Sequence, residues 1–315
     1  MKKGQIIKLI GGLYEIMDSE TKAIIRARPS GILRHQKLDE SSTFNKSITK
    51  KTKLEVKTIQ VSPKVGDIVD YDDTDINHLI RKIEPRKNEL SRPDVANVDQ
   101  VLILNAAIKP DFSFNLLDQF LILIEKAHIQ PVIIVSKIDL IEEQALKIIQ
   151  KDLEYYTQIG YDVYYVNSKQ KIGFDVLEDI FKDKISVLAG QTGAGKSTFL
   201  NALMPQLDIK TQEISKALGR GKHTTRHTEL YTYAGGMIAD TPGFSKLELD
   251  MFEADELKNY FVEFNAISTH CKFGNKCVHI HEPGCAVKGN PKILQTRYEN
   301  YYKYYEEIKN KKEVY

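Results

Sequence analysis

Gly190-Gln191-Thr192-Gly193-Ala194-Gly195-Lys196-Ser197 satisfies the pattern G-x-x-x-x-G-K-[ST] at every fixed position. The run before it, Ile185-Ser186-Val187-Leu188-Ala189, reads as a buried strand, and Thr198-Phe199-Leu200-Asn201-Ala202-Leu203 after it reads as a helix. Strand, glycine-rich turn and helix in that order form the context in which this pattern cradles phosphate. The glycines let successive backbone N–H groups point inward around phosphate oxygens, and the helix N-terminus adds a favourable dipole. In such a loop Lys196 reaches the β- and γ-phosphates and Ser197 ligates Mg²⁺. These eight residues and Thr198 are candidate nucleotide-binding positions.

Downstream, Asp240-Thr241-Pro242-Gly243 closes an apolar strand, Met237-Ile238-Ala239. Asp240 is expected to hold Mg²⁺ through water, and the Gly243 N–H to sense a γ-phosphate. Between the two motifs lies Gly219-Arg220-Gly221-Lys222-His223-Thr224-Thr225-Arg226. Its glycines and polar side chains suit a switch segment that orders around γ-phosphate and Mg²⁺. Thr224 or Thr225 is expected to give Mg²⁺ a hydroxyl, and Thr225 is the choice. Phe244 occupies the place where Ras-like proteins carry the glutamine that orients water. Phenylalanine can make no such hydrogen bond, so His223, or else His227, is the candidate catalytic group.

Upstream, the buried-type strand Pro131–Val135 runs into Ser136-Lys137-Ile138-Asp139, which is similar to the N-K-x-D motif. Asp139 can accept hydrogen bonds from guanine N1–H and the 2-amino group, which adenine does not offer. Leaving a buried carboxylate unpaired against the wrong base is a strong discriminator. The Lys137 stem is expected to cover one face of the base. Ser136 replaces the usual asparagine, which predicts a weaker brace between this loop and the phosphate loop. Asn167-Ser168, after Tyr164-Tyr165-Val166, is placed to offer backbone N–H groups to the base carbonyl. The base-reading motifs thus precede the phosphate loop, the reverse of ordinary small GTPases. The cyclic order is kept, as in a permuted chain whose original termini lay close together.

With 315 residues, two or three domains are expected. A hydrophobic fraction of 42% and a charged fraction of 28% suit a globular protein. No apolar run approaches the ~20 residues of a membrane helix, and no secretory signal opens the chain. A cytoplasmic monomer is expected. The first stretch contains five candidate strands, Gln5–Ile10, Leu13–Met17, Lys22–Ala27, Lys53–Val61 and Gly66–Tyr71, which suggest a small barrel. Gln36–Lys53 reads as a mobile loop and Lys82–Asp94, with Pro85 and Pro93, as a linker. Strands and helices then alternate, implying a mostly parallel α/β sheet. Helices are expected over Phe112–Ala127, Asp255–Asn265 and Pro291–Lys312.

All three cysteines fall in Cys271-x5-Cys277-x-His279-x5-Cys285. Three thiolates and an imidazole form a closed tetrahedral set suited to one structural Zn²⁺, with His281 or His270 as rivals to His279. Net charge is +2, yet Thr21–Lys64 carries eleven Lys/Arg against three Asp/Glu, and Ala286–Tyr315 seven against four. Basic ends suggest a polyanionic partner. In the last helix Tyr298, Tyr301, Tyr302 and Tyr305 share a face, a stripe better suited to packing than to base stacking. Arg297, Lys303, Lys309, Lys311 and Lys312 make an RNA contact there plausible.

The permuted order, the N-terminal barrel and the C-terminal Cys/His cluster together resemble the RsgA (YjeQ/YloQ) family of ribosome small-subunit-dependent GTPases. The resemblance spans the chain and implies three parts: an OB-fold RNA-binding domain over 1–85, a circularly permuted α/β GTPase domain over 86–249, and a small zinc-binding, α-rich domain over 250–315. It further implies GTP hydrolysis with Mg²⁺, stimulated by the 30S subunit and its 16S rRNA, in late subunit maturation. The rival readings are an RNA-binding scaffold that uses GTP as a conformational ligand, and a translation-factor-like GTPase.

Overall fold

A computed structural model describes residues 1–31, 33, 36–37, 58–59, 62–74, 78–91, 93–207, 228–244 and 249–312. Its strands are β1 (Lys2–Ile10), β2 (Leu13–Asp18), β3 (Ile24–Pro29), β4 (Gln36–Lys37), β5 (Thr58–Ile59), β6 (Ile68–Asp72), β7 (Leu79–Ile83), β8 (Glu89–Ser91), β9 (Asp94–Ala96), β10 (Gln100–Ala106), β11 (Gln130–Ser136), β12 (Asp162–Val166), β13 (Ile185–Ala189), β14 (Glu229–Tyr233) and β15 (Gly236–Phe244). Its α-helices are α1 (Phe114–Lys126), α2 (Glu143–Gln158), α3 (Glu178–Phe181), α4 (Lys196–Leu203), α5 (Val262–Ser268) and α6 (Gln295–Lys312). None is long and apolar enough to cross a membrane among the described residues. The chain divides into two compact units, one of residues 1–101, 175–188 and 203–244, the other of 102–174, 189–202 and 245–315.

In the first unit, five strands close on themselves. β1 pairs with β2, β2 with β3, β3 in parallel with β7, β7 with β6, and β6 returns to β1. Strand alternation explains the closure: β2 buries every second residue, and Ile6, Ile16, Ala27, Val69 and Ile80 are all fully buried. This five-stranded barrel fits the expected OB-fold. Its fifth strand, however, is β7, which overlaps the stretch read as linker. The candidate Lys53–Val61 is described only at Thr58–Ile59, which pairs with Gln36–Lys37 in a separate ribbon. The reason lies in the short alternation of Leu79–Ile83, ended by Pro85 and too brief to stand out.

The described residues of the rest of the supposed linker also form regular structure. β8 pairs with β9. Arg86 makes a forked pair with the fully buried Asp67, at 2.7 Å and 2.8 Å, and reaches Glu89 at 2.6 Å. Here charge signals a bolt to the barrel rather than exposure, since bidentate geometry offsets desolvation. β14 and β15 form an antiparallel hairpin whose register sets Glu229 opposite Asp240.

In the second unit, β11 and β12 run parallel. β10 and nearly all of β11 are buried, as continuous apolar strands predict for a sheet covered on both faces. Helix α1 starts where Ser113 Oγ accepts from Leu116 N at 3.2 Å, an N-cap. The expected helix over Asp255–Asn265 is broken. A 3-10 turn, Leu257–Tyr260, precedes α5, and between them Phe261 is extended at φ −98°, ψ 92°. That break turns the Phe261 ring into a core shared with Phe264 and Tyr301. The last helix begins at Gln295 rather than Pro291.

One residue of α6 reverses its sequence reading. Arg297 is completely buried. It donates to Asp118 of α1 at 2.5 Å and to Glu263 of α5 at 2.5 Å and 3.1 Å. Asp118 also accepts from Tyr156 at 2.8 Å and Asn300 at 2.7 Å. Burial works against the Arg297 charge, but the two carboxylates raise its pKa well above that of ordinary arginine. It is a structural hub, and an RNA contact through it is ruled out. The tyrosine stripe is mainly packing: Tyr301 is buried, Tyr298 and Tyr305 pack against the same core, and Tyr302 alone points outward.

Candidate functional site

The phosphate loop lies where β13 meets α4. Gly190 has φ +133°, and a Cβ on it would come within 2.2 Å of Leu104 O. Only glycine fits so close a backbone approach. Ala194 is fully buried, while Gln191, Thr192 and Gly193 are exposed and Gly195 is half-buried. Lys196 opens α4, with Ser197 and Thr198 half-buried in its first turn. The Lys196 ammonium donates to Gly190 O at 2.6 Å and Gln191 O at 2.9 Å, folding the loop around its own charge. Burial pulls its pKa down to about 8, a shift that a neighbouring anion would reverse. Phe199 seats α4 by packing on Phe174 at 5.3 Å.

The base-reading loop lies at the end of β11 and interlocks with this one. Ser136 is buried, and its Oγ donates to Ala194 O at 2.6 Å. The base-reading loop is therefore braced to the phosphate loop through this one hydroxyl. Lys137 adopts φ +58°, and its Cε lies 3.8 Å from where a Gly195 Cβ would stand. Asp139 is exposed in the following turn, open to an incoming donor. We expect Ser136→Ala to lower GDP affinity about tenfold, because the buried Ala194 carbonyl loses its donor. Titration with a fluorescent GDP derivative reads this directly, and unchanged affinity would show that the brace is idle.

Asn167 is buried and organises its own loop. Its Oδ1 accepts from Lys169 N at 3.0 Å and Gln170 N at 3.2 Å, and its N–H donates to Ile172 O at 3.0 Å. Those three N–H groups are spent inside the loop, so the Asn167 N–H is not free to meet a base as expected, and Ser168 beside it is half-buried. Asp240 and Gly243 lie in β15, which continues through Phe244 instead of closing before the motif. His223 and Thr225 lie outside the described residues, as do Thr224 and His227.

A second cluster lies in the C-terminal part. One ligand atom each from Cys271, Cys277, His279 and Cys285 lies within 4.8 Å of every other. His279 Nδ1 is 3.6 Å from Cys271 Sγ and 3.4 Å from Cys285 Sγ. His270 and His281 are exposed and outside the group. Burial pulls the His279 pKa down to about 4, holding the imidazole neutral as a metal ligand requires. Burial pushes the Cys277 thiol up to about 12, a cost that a bound cation would offset. Outer groups fix the ligands. Lys258 donates to Cys277 O at 2.8 Å, Tyr298 to His279 O at 2.7 Å, and Tyr301 to Val278 O. Ala286 N and Lys288 N point at Cys271 Sγ and Cys285 Sγ, both at 3.3 Å. These four residues could hold a metal ion in a closed shell.

A family model described as RsgA GTPase matches residues 83–250. The chain belongs to the RsgA GTPase family. It is a GTP hydrolase. This RsgA chain is 47% identical to the small ribosomal subunit biogenesis GTPase RsgA of Onion yellows phytoplasma (strain OY-M), over 98% of this chain and 99% of that one. It is 42% identical to the protein of the same name from Bacillus subtilis (strain 168), over the full length of both. The crystal structure of YloQ, a circularly permuted GTPase, matches with a TM-score of 0.79 at 37% identity, covering 99% of this chain and 96% of that one. The RsgA chain shares that permuted fold, with Ser136 ahead of Gly190.

Proposed function

We propose that this RsgA protein acts on the small ribosomal subunit, in late 30S maturation, as a GTP-driven checkpoint whose hydrolysis is stimulated by the subunit. The observation that carries the reading is the full-length similarity to proteins named for small ribosomal subunit biogenesis. The interlocked base and phosphate loops support it from the structure.

In this reading Asp139 selects guanine and Lys137 covers the base, while Ser168, in the loop that Asn167 organises, meets the base carbonyl. The backbone of Gly190–Ser197 wraps the phosphates, Lys196 meets the β- and γ-oxygens, and Thr198 closes the first helical turn around them. Mg²⁺ bound with GTP would supply charge neutralisation between the β- and γ-phosphates. Ser197, Thr225 and, through water, Asp240 are the groups to hold it. The Gly243 N–H senses the γ-phosphate and His223 orients the attacking water. Cys271, Cys277, His279 and Cys285 hold one structural Zn²⁺, a fit that the three sulfurs, one nitrogen and closed outer shell support.

Three modules serve this role: a barrel over 1–85 that contacts 16S rRNA, the GTPase part over 86–249, and a zinc-bearing part over 250–315. The protein works as a cytoplasmic monomer that hydrolyses GTP to GDP and phosphate and then exchanges the GDP for GTP. The test is multiple-turnover hydrolysis with purified 30S, 50S and 70S particles. We expect slow turnover alone, a rise of at least about tenfold with 30S particles, and loss of that rise in His223→Ala. Equal rates with and without 30S particles would overturn the checkpoint in favour of a scaffold that uses GTP as a ligand. Stimulation by 50S particles alone would favour a translation-factor-like role.

A further inference from the structure

The turn after β10 touches both halves of the interlocked site, and no motif accounts for it. Lys137 donates from its ammonium to Lys109 O. Lys109 holds the left-handed conformation at φ +54°, which sets the direction of that carbonyl. The next residue, Pro110, places its Cδ 3.5 Å from where a Gly193 Cβ would stand. The turn is rooted nearby: Ala107 N donates to Ser136 O at 2.8 Å, and Ser113 caps α1 just beyond. Contacts along residues 107–113 thus reach Ser136, Lys137 and Gly193.

We propose that the Ile108–Asp111 turn is a further part of the nucleotide site and that Lys109 is a positioning residue, whose carbonyl parks the tip of Lys137 so that its stem is laid out before the base arrives. The proposal rests on the reading of Ser136–Asp139 and Gly190–Ser197 as a guanine nucleotide site. A lysine stem with a free tip samples many rotamers, and ordering it on binding weakens affinity. A tip already docked on a carbonyl removes that loss. Proline beside Gly193 limits the movement of the phosphate loop on the same side. In the reading of Lys137 as the residue that covers the base, its stem contacts the base rather than the reacting phosphate, so its ordering acts alike in ground and transition states. The effect therefore belongs in KM rather than in kcat.

The test uses the full chain and a fluorescent GDP derivative, with GTP turnover measured in parallel. Lys109→Val places a β-branched residue where a left-handed backbone is strained. It should raise Kd about tenfold, the scale of a charged hydrogen bond, and raise KM for GTP far more than it lowers kcat. Lys109→Gly, which adopts positive φ without strain, should bind like wild type. Lys137→Met keeps the stem and removes the ammonium. It should match Lys109→Val, and the double variant should be no worse than either single one. Unchanged Kd in Lys109→Val, or effects that multiply in the double variant, would overturn the proposal. Asp139→Ala and Lys196→Ala separate the underlying reading: if both bind GDP like wild type, the nucleotide site itself is misplaced, whatever Lys109 does.

Discussion

Arg297→Ala is expected to destabilise the protein by about 3–5 kcal/mol, the cost typical of breaking a buried ion pair by removing one partner. The variant leaves Asp118 and Glu263 buried with no cation between them. Burial already pushes the Asp118 carboxyl up, against the pull of Arg297, so removing the guanidinium should drive that carboxyl to take a proton. A second loss adds to the first. The guanidinium carbon lies 5.0 Å from the Phe261 ring and 5.2 Å from the Tyr156 ring, so alanine also opens a cavity between aromatic faces. A lysine at this position would restore charge but not the fork, so Arg297→Lys should recover only part of the loss. Scanning calorimetry checks this, with a fall in Tm of about 10 °C expected for Arg297→Ala. A change below about 1 °C would mean that the network contributes little.

The second large effect concerns the Cys271, Cys277, His279 and Cys285 cluster. Cys277→Ser should abolish stable metal binding and leave the segment from Cys271 to Cys285 open to protease. Cys277 is fully buried and belongs to the same core as Phe264, Ile280, Val287 and Tyr301. A serine hydroxyl stays protonated near neutral pH and makes a poor Zn²⁺ ligand, whereas a bound cation keeps the thiol deprotonated. Structural zinc sites in small peptides carry apparent binding energies of about 10–16 kcal/mol, which is also folding energy. Metal analysis by mass spectrometry should read about one Zn²⁺ per wild-type chain and far less in the variant. A variant that keeps both its metal and its protease resistance would remove Cys277 from the ligand set.

How much of this was legible in sequence depended on the signal each element carries. β11 and β13 declare themselves by unbroken apolar runs, and the phosphate loop by fixed glycines that the φ of Gly190 explains. The cysteine spacing pointed to all four clustered side chains, since few other arrangements use every cysteine. The fifth barrel strand did not declare itself, because a five-residue alternation beside a proline looks like linker. Arg297 was misread because charge in a sequence says nothing of burial; only Asp118 and Glu263, far away along the chain, show what it pairs with. Serine in place of asparagine predicts a weaker brace, and the brace present is a single hydroxyl bond at 2.6 Å, whose partner, a main-chain carbonyl, leaves no sign in the sequence. The Lys109 turn left no trace, because its contribution is a main-chain carbonyl.

The buried network of Asp118, Glu263 and Arg297 also sets an order in time. Translation delivers Asp118 first and Arg297 179 residues later. Until the last helix emerges, α1 holds an acid in its apolar side with no cation to meet it. Burying Asp118 before α6 docks therefore carries a penalty, which the Arg297 guanidinium offsets. Truncation before Gln295 should leave a protein whose base-reading side stays soft to protease. Docking of α6 is thus a condition for closing this core.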